Sequence, residues 1–151
     1  MAGLDLTEHI HFMNVDLDVL SRSSLEPLAA AFGTAVTVLY EGREGKLFGA
    51  HFELANSYQK DADALIQGFV HLVRALPPGI RKQWNSAQSR DFNVGIQSAL
   101  KPHCHELRLA AETVEAVARV RGSVVITTYA PVRDVSAGGT EGASKRRPAT
   151  A

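Results

Sequence analysis

Trp84-Asn85-Ser86-Ala87-Gln88-Ser89-Arg90-Asp91-Phe92-Asn93-Val94-Gly95-Ile96-Gln97 holds the only tryptophan of the chain and then a run with a period of two. Phe92, Val94 and Ile96 face one way, and Asp91, Asn93, Gly95 and Gln97 the other, which is the pattern of a half-buried β-strand. A strand that is apolar on one side needs a covering layer. Its other side offers small hydrogen-bonding groups beside a glycine that allows close approach. Arg90, Asp91, Asn93 and Gln97, with Trp84 as an aromatic anchor, are therefore the candidate binding residues; the plainer reading is that Trp84 is core and that Arg90 pairs with Asp91 or another surface acid.

Working outward, the covering layer is legible as helices. Leu65, Ile66, Phe69, Val70, Leu72, Val73 and Leu76 recur at three and four after a start at Asp61 or Asp63, and Pro77-Pro78-Gly79 stops them. Ile80 to Trp84 reads as one further turn. A third helix is expected from about His105 to Arg121, with Leu107, Ala110, Val114, Val117 and Ala118 inward and Gly122 as its stop. The first helix is expected after a capping box of Ser23 with Glu26, and Gly33 ends it. His9 to Val19 alternates as a strand. Thr34 to Tyr40 and Lys46 to Leu54 flank the turn Glu41 to Gly45 as a hairpin. Ser123 to Tyr129, apolar at Val124, Val125 and Ile126, reads as a central strand. The order β-α-β-β-α-β-α-β predicts an α+β two-layer sandwich, with about five strands in one mainly antiparallel sheet and about three helices. Residues 1–131 form one domain in this reading, and the Gly, Ser, Ala and Thr composition of 132–151 reads as a disordered tail.

With 45% hydrophobic residues in 151, the chain can bury a core of ordinary globular size. Its 16 basic and 16 acidic residues give a formal charge of zero, which argues against nucleic acid and anionic membranes as partners. Removing the tail leaves 12 Lys/Arg against 14 Asp/Glu, a formal charge of minus two on residues 1–131. A lone cysteine, no apolar run of membrane-spanning length and no leader-like start point to the cytoplasm.

Phe12-Met13-Asn14-Val15-Asp16-Leu17-Asp18-Val19 resembles the first motif of the haloacid dehalogenase family, an apolar strand ending in Asp-x-Asp-x-Val. The resemblance implies Asp16 as nucleophile and Asp18 as acid/base around Mg²⁺; it extends over these eight residues, and a polar strand edge accounts for both aspartates as well. His9 and His11, alternate residues of one strand, form a second candidate, with His51 or the His103-Cys104-His105 cluster completing a Zn²⁺ or Fe²⁺ shell. Edge histidines are the plainer reading. Cys104 beside a histidine invites a thiol nucleophile, but adjacent side chains seldom meet as nucleophile and base.

The helix ending in Leu76-Pro77-Pro78, the Arg90 to Ile96 strand and the closing Gly122 to Tyr129 resemble the small bacterial proteins grouped as domain of unknown function 4279. This resemblance spans roughly Ile10 to Pro131 and implies no chemistry, cofactor or site residue. With no complete catalytic constellation, the expected function is non-catalytic protein binding, with an immunity-type role as an analogy. The alternatives are a metal-binding protein or metal-dependent hydrolase on His9, His11, His51, Asp16 and Asp18, and an oligomerisation domain. The expected partner is another protein, with a homodimer possible and no cofactor required.

Overall fold

A computed structural model describes residues 8–131. Five strands and four helices follow in the order β1 (His11–Ser21), α1 (Glu26–Phe32), β2 (Val36–Glu44), β3 (Leu47–Leu54), α2 (Ala62–Arg74), α3 (Pro78–Ser86), β4 (Ser89–Gln97), α4 (Ala111–Arg119) and β5 (Ser123–Tyr129). The strands form one sheet in the order β2-β3-β1-β4-β5. Its pairings are antiparallel except for β4 with β5, which is parallel. The fold is α+β, as the alternation of apolar residues predicts. The expected tail lies outside the described residues.

The helices cover one face of the sheet. Val15, Leu17 and Val19 of β1, Phe52 of β3, and Phe92 and Val94 of β4 are fully buried beneath them. Helix α2 supplies Leu65, Ile66, Phe69, Val70 and Val73 to this core. Each such side chain contributes about 1.5 to 3 kcal/mol when wholly buried, so the α2 stripe is the main cover of the sheet. The helix starts where Asp61 Oδ1 accepts the Ala64 N–H at 2.8 Å, a side-chain cap on an otherwise unpaired donor. Leu72 sits at the rim, half-buried.

Four local expectations are corrected. Ser23 and Glu26 form no capping box: Ser24 Oγ accepts the Glu26 N–H, while Ser23 Oγ accepts from Gln83 of α3. Pro78–Ser86 is a helix of nine residues, not one turn. The helix expected from His105 begins only at Ala111, and its buried residues are Thr113, Ala116 and Val117, with Val114 half exposed. Segment 102–110 runs without helix, so the helical phase set from Leu107 is shifted. Finally, among the described residues β5 is an edge strand: it pairs only with β4, and Val125 and Ile126 are exposed. The five β-branched residues in a row, Val124 to Thr128, arise there from strand propensity without burial on both faces.

Candidate functional site: the open face of the sheet

No described helix covers the second face of the sheet, and its residues alternate with the core. Strand β1 presents Asn14, Asp16 and Asp18; β3 presents His51 and Glu53; β4 presents Asp91, Asn93, Gly95 and Gln97; β5 presents Thr127 and Tyr129. One residue from each strand joins a continuous hydrogen-bonded chain across the whole sheet. Thr127 Oγ1 of β5 donates to Asn93 Oδ1 of β4 at 2.7 Å, and Asn93 Nδ2 donates to Asp18 Oδ2 of β1 at 3.1 Å. His51 of β3 then spans two carboxylates, with Nδ1 at 2.7 Å from Asp18 Oδ1 and Nε2 at 2.5 Å from Glu44 Oε1 of β2. Both ring nitrogens donate only in the imidazolium form, so this arrangement favours the charged ring. Burial lowers the His51 pKa, but the bonds to Asp18 and Glu44 outweigh it and raise it above 6.5.

Beside this chain lies a hollow of about 170 Å³. Asp16 and Glu53 form its acidic side, Met13, Leu39 and Tyr129 its apolar side, and Gly95 with Asn93 its floor. A Cβ added to Gly95 would meet only ordinary contacts at 3.6 Å and beyond, so the glycine widens the hollow without being demanded by packing. Asn14 Nδ2 donates to Glu53 Oε1 at 2.6 Å and reaches Asp16 Oδ1 only at 3.5 Å. Asp16 is thus left weakly bonded among like charges. Burial, Asp18 and Glu53 together push its pKa up to about 6, against the opposing pull of His51. Burial and Asp18 also raise Asp91, against Arg90.

A comparison with protein-family models, curated proteins and solved structures finds no match. The chemistry of the face must be read from its own residues.

Asp91, Asn93 and Gln97 stand on the open face as the alternation predicts, although Gln97 Nε2 is spent on the carbonyls of Ser98 and Ala130. Trp84 and Arg90 do not stand there. Trp84 is fully buried and donates Nε1–H to the Val120 carbonyl at 2.8 Å, so it is core and no surface anchor. Arg90 belongs to the same parity as Phe92 and Val94 and turns to the helical side. Its Nε donates to the Arg121 carbonyl at 2.7 Å, and one terminal nitrogen donates to the carbonyls of Trp84 and Ala87 at 3.0 and 2.8 Å.

The histidine candidates are spread apart, although His51 meets Asp18. His11 pairs with Gln97 at one end of β1, and His51 lies opposite Asp18. Seven residues of extended strand separate those two positions on β1, roughly 23 Å. His11 Nδ1 is bonded to the His9 carbonyl, and His9 bridges to Lys101. Among the described residues no group of three His, Cys, Asp or Glu side chains is placed to hold a metal ion. Asp16 and Asp18 share a face, but they lie in the middle of an antiparallel strand and not at the end of a parallel one, so the dehalogenase-like geometry is not formed. Cys104 is exposed in the irregular segment.

The residues that the sequence reading passed over are Asn14, Glu44, Glu53 and Thr127. The signal for one of them was present: in the hairpin, the positions between Phe48, Ala50, Phe52 and Leu54 are the open-face positions, and Glu53 stands there beside the candidate His51. Glu44 was hidden by its place next to the turn.

Proposed function

We propose that the chain is a non-catalytic protein-binding module that receives a basic surface of another protein on the open face of its sheet. The observation that carries this reading is the convergence of Asp16, Asp18, Glu44, Glu53 and Asp91 on one uncovered face. Among the described residues, no lysine or arginine is ion-paired with any of them. Even with His51 charged between Asp18 and Glu44, these five carboxylates leave the group net negative, and such a face steers and selects a partner of the other sign. Tyr129, Leu39 and Met13 add exposed apolar area around the carboxylates, the mixture found at the centre of binding patches. A chemical role for His51 is disfavoured, because each of its ring nitrogens already faces a carboxylate.

An immunity-type role is the form of binding that suits such a face. A toxin acting on nucleic acid holds phosphates with basic residues, and an acidic sheet can occupy that surface in their place. The resemblance to domain of unknown function 4279 belongs to the same proposal, as does a cytoplasmic location. No helix among the described residues is long and apolar enough to cross a membrane.

The test is an NMR titration of the ¹⁵N-labelled chain with a Lys/Arg-rich peptide as probe. Shifts confined to Asn14, Asp16, Asn93 and Gly95, weakened by Asp16→Asn with Asp91→Asn and by added salt, are expected. Shifts centred on the helical side, or no shifts at all, would overturn the reading.

A further inference from the structure

The two edges of the sheet are built differently. Edge strand β2 carries Glu41, Arg43 and Glu44 and a register shift between Val38 and Tyr40. Charges and bulges of this kind blunt an edge against strand addition. Edge strand β5, Ser123-Val124-Val125-Ile126-Thr127-Thr128-Tyr129, has no charge, no proline and an unbroken register with β4. Within the described residues it is left open, with Ile126 58% exposed.

The direction of its free groups follows from one bond. Ser98 N–H of the chain leaving β4 donates to the Tyr129 carbonyl at 2.9 Å, so Tyr129 turns its peptide groups toward β4. Alternation along a strand then turns Ser123, Val125 and Thr127 the same way, and Val124, Ile126 and Thr128 outward. The outward row is three N–H and three C=O groups, evenly spaced and centred on Ile126.

We propose that β5 pairs with β5 of a second copy, antiparallel about a twofold axis through Ile126. The row is complementary to itself. Ile126 meets the second copy's Ile126, Val124 meets Thr128, and Thr128 meets Val124, each pair exchanging both its hydrogen bonds. On the open face Val125 stands opposite Thr127, a cross-strand pair of β-branched residues. With no charge in the strand and a formal charge of zero on the chain, neither the contact nor the whole molecules repel. The blunted β2 edge prevents head-to-tail addition into a filament, so the assembly closes as a dimer with one continuous sheet. This inference is independent of the binding reading above, and it leaves both acidic faces accessible.

Sedimentation velocity on the full chain over a concentration series, combined with amide hydrogen exchange, tests it. The expected result is a reversible dimer in which the amides of Val124, Ile126 and Thr128 gain protection as concentration rises. Ile126→Arg places like charges on the axis and should weaken association at least tenfold with an unchanged melting curve. Ile126→Pro removes an outward donor that the β4 ladder does not use and should do the same. A chain that stays monomeric throughout, or a dimer that survives both substitutions, overturns the proposal. Protection of the three amides that does not change with concentration also overturns it, since the same chain would then already be covering the edge.

Discussion

Asp16 of β1 stands directly opposite Glu53 of β3, a like-charged cross-strand pair on the open face in the middle of the sheet. Opposed like charges weaken a sheet, and here Asp18 adds to the strain. Because the Asp16 pKa is raised from 3.8 to about 6 in the folded chain, the folded state holds more protons than the unfolded one between those values. Stability therefore falls as pH rises from about 4 to 6, and the penalty persists above that. Asp16→Asn should raise stability by about 1 kcal/mol at pH 7.5, after allowance for solvent screening, and leave it nearly unchanged at pH 4. Urea denaturation of both proteins at the two pH values measures the difference. The same substitution should weaken binding of the basic probe, the pattern of a residue kept for function at a cost in stability.

His51 makes a second contribution of the same sign. Its pKa is raised by the bonds to Asp18 and Glu44 in spite of burial. The stabilisation is therefore fully present below about 6.5, the unfolded value, and is lost as pH rises through the higher folded value. His51→Gln should lower stability by about 0.5 kcal/mol at pH 6 and by less at pH 8.5. Thermal melts across that range, with the wild-type chain losing its advantage on the alkaline side, check the direction. An advantage that grew with pH would mean that His51 is neutral when it bridges the two carboxylates.

Gly122 is required by packing, although the sequence reads it as the residue that reverses the backbone after α4. The left-handed position is Arg121, with φ 61°. Arg121 N–H donates to the Ala118 carbonyl at 3.0 Å and Gly122 N–H to the Val117 carbonyl at 2.9 Å, the two bonds of a Schellman ending. A Cβ on Gly122 would lie 2.4 Å from Phe92 Cε2 and 3.0 Å from Val117 Cγ1, both in the closed core. Gly122→Ala should thus cost about 1 to 3 kcal/mol by overpacking, while Arg121→Gly should gain about 0.5 kcal/mol by relieving the backbone. Denaturant midpoints of the two variants should move in opposite directions.

Element type was legible wherever a period ran uninterrupted over a full face, as in Leu65 to Val73 and Phe92 to Ile96. It failed where the decisive contact lies far away in sequence. Leu107 and Leu109 continue an apolar rhythm into α4, yet they pack on the core from irregular chain, and no local period distinguishes that from a helical turn. The run Val124-Val125-Ile126 looks central because composition does not report which strands flank it. The open face was half legible: Asp91 and Asn93 came from alternation within one strand, whereas the chain from Thr127 through His51 to Glu44 needs the order of all five strands. Arg90 failed for a simpler reason, since its own parity already placed it with Phe92.

That misplacement separates a fold residue from a face residue experimentally. The Arg90 guanidinium ties three backbone carbonyls together: Trp84 and Ala87 at the end of α3, and Arg121 beyond α4. Hydrogen bonds from a charged donor contribute about 1.5 to 3 kcal/mol, and carbonyls left without partners add to the loss, so Arg90→Ala should destabilise by about that amount. Arg90→Lys should recover little, because a single ammonium cannot match the spread of a planar guanidinium. Asp91→Ala, next in sequence but on the opposite face, should leave the melting midpoint nearly unchanged and weaken the basic probe instead. Measured below the melting transition, Arg90→Ala should still bind that probe like the wild-type chain. Loss of binding in folded Arg90→Ala would mean that the helical side, and not the acidic sheet, receives the partner.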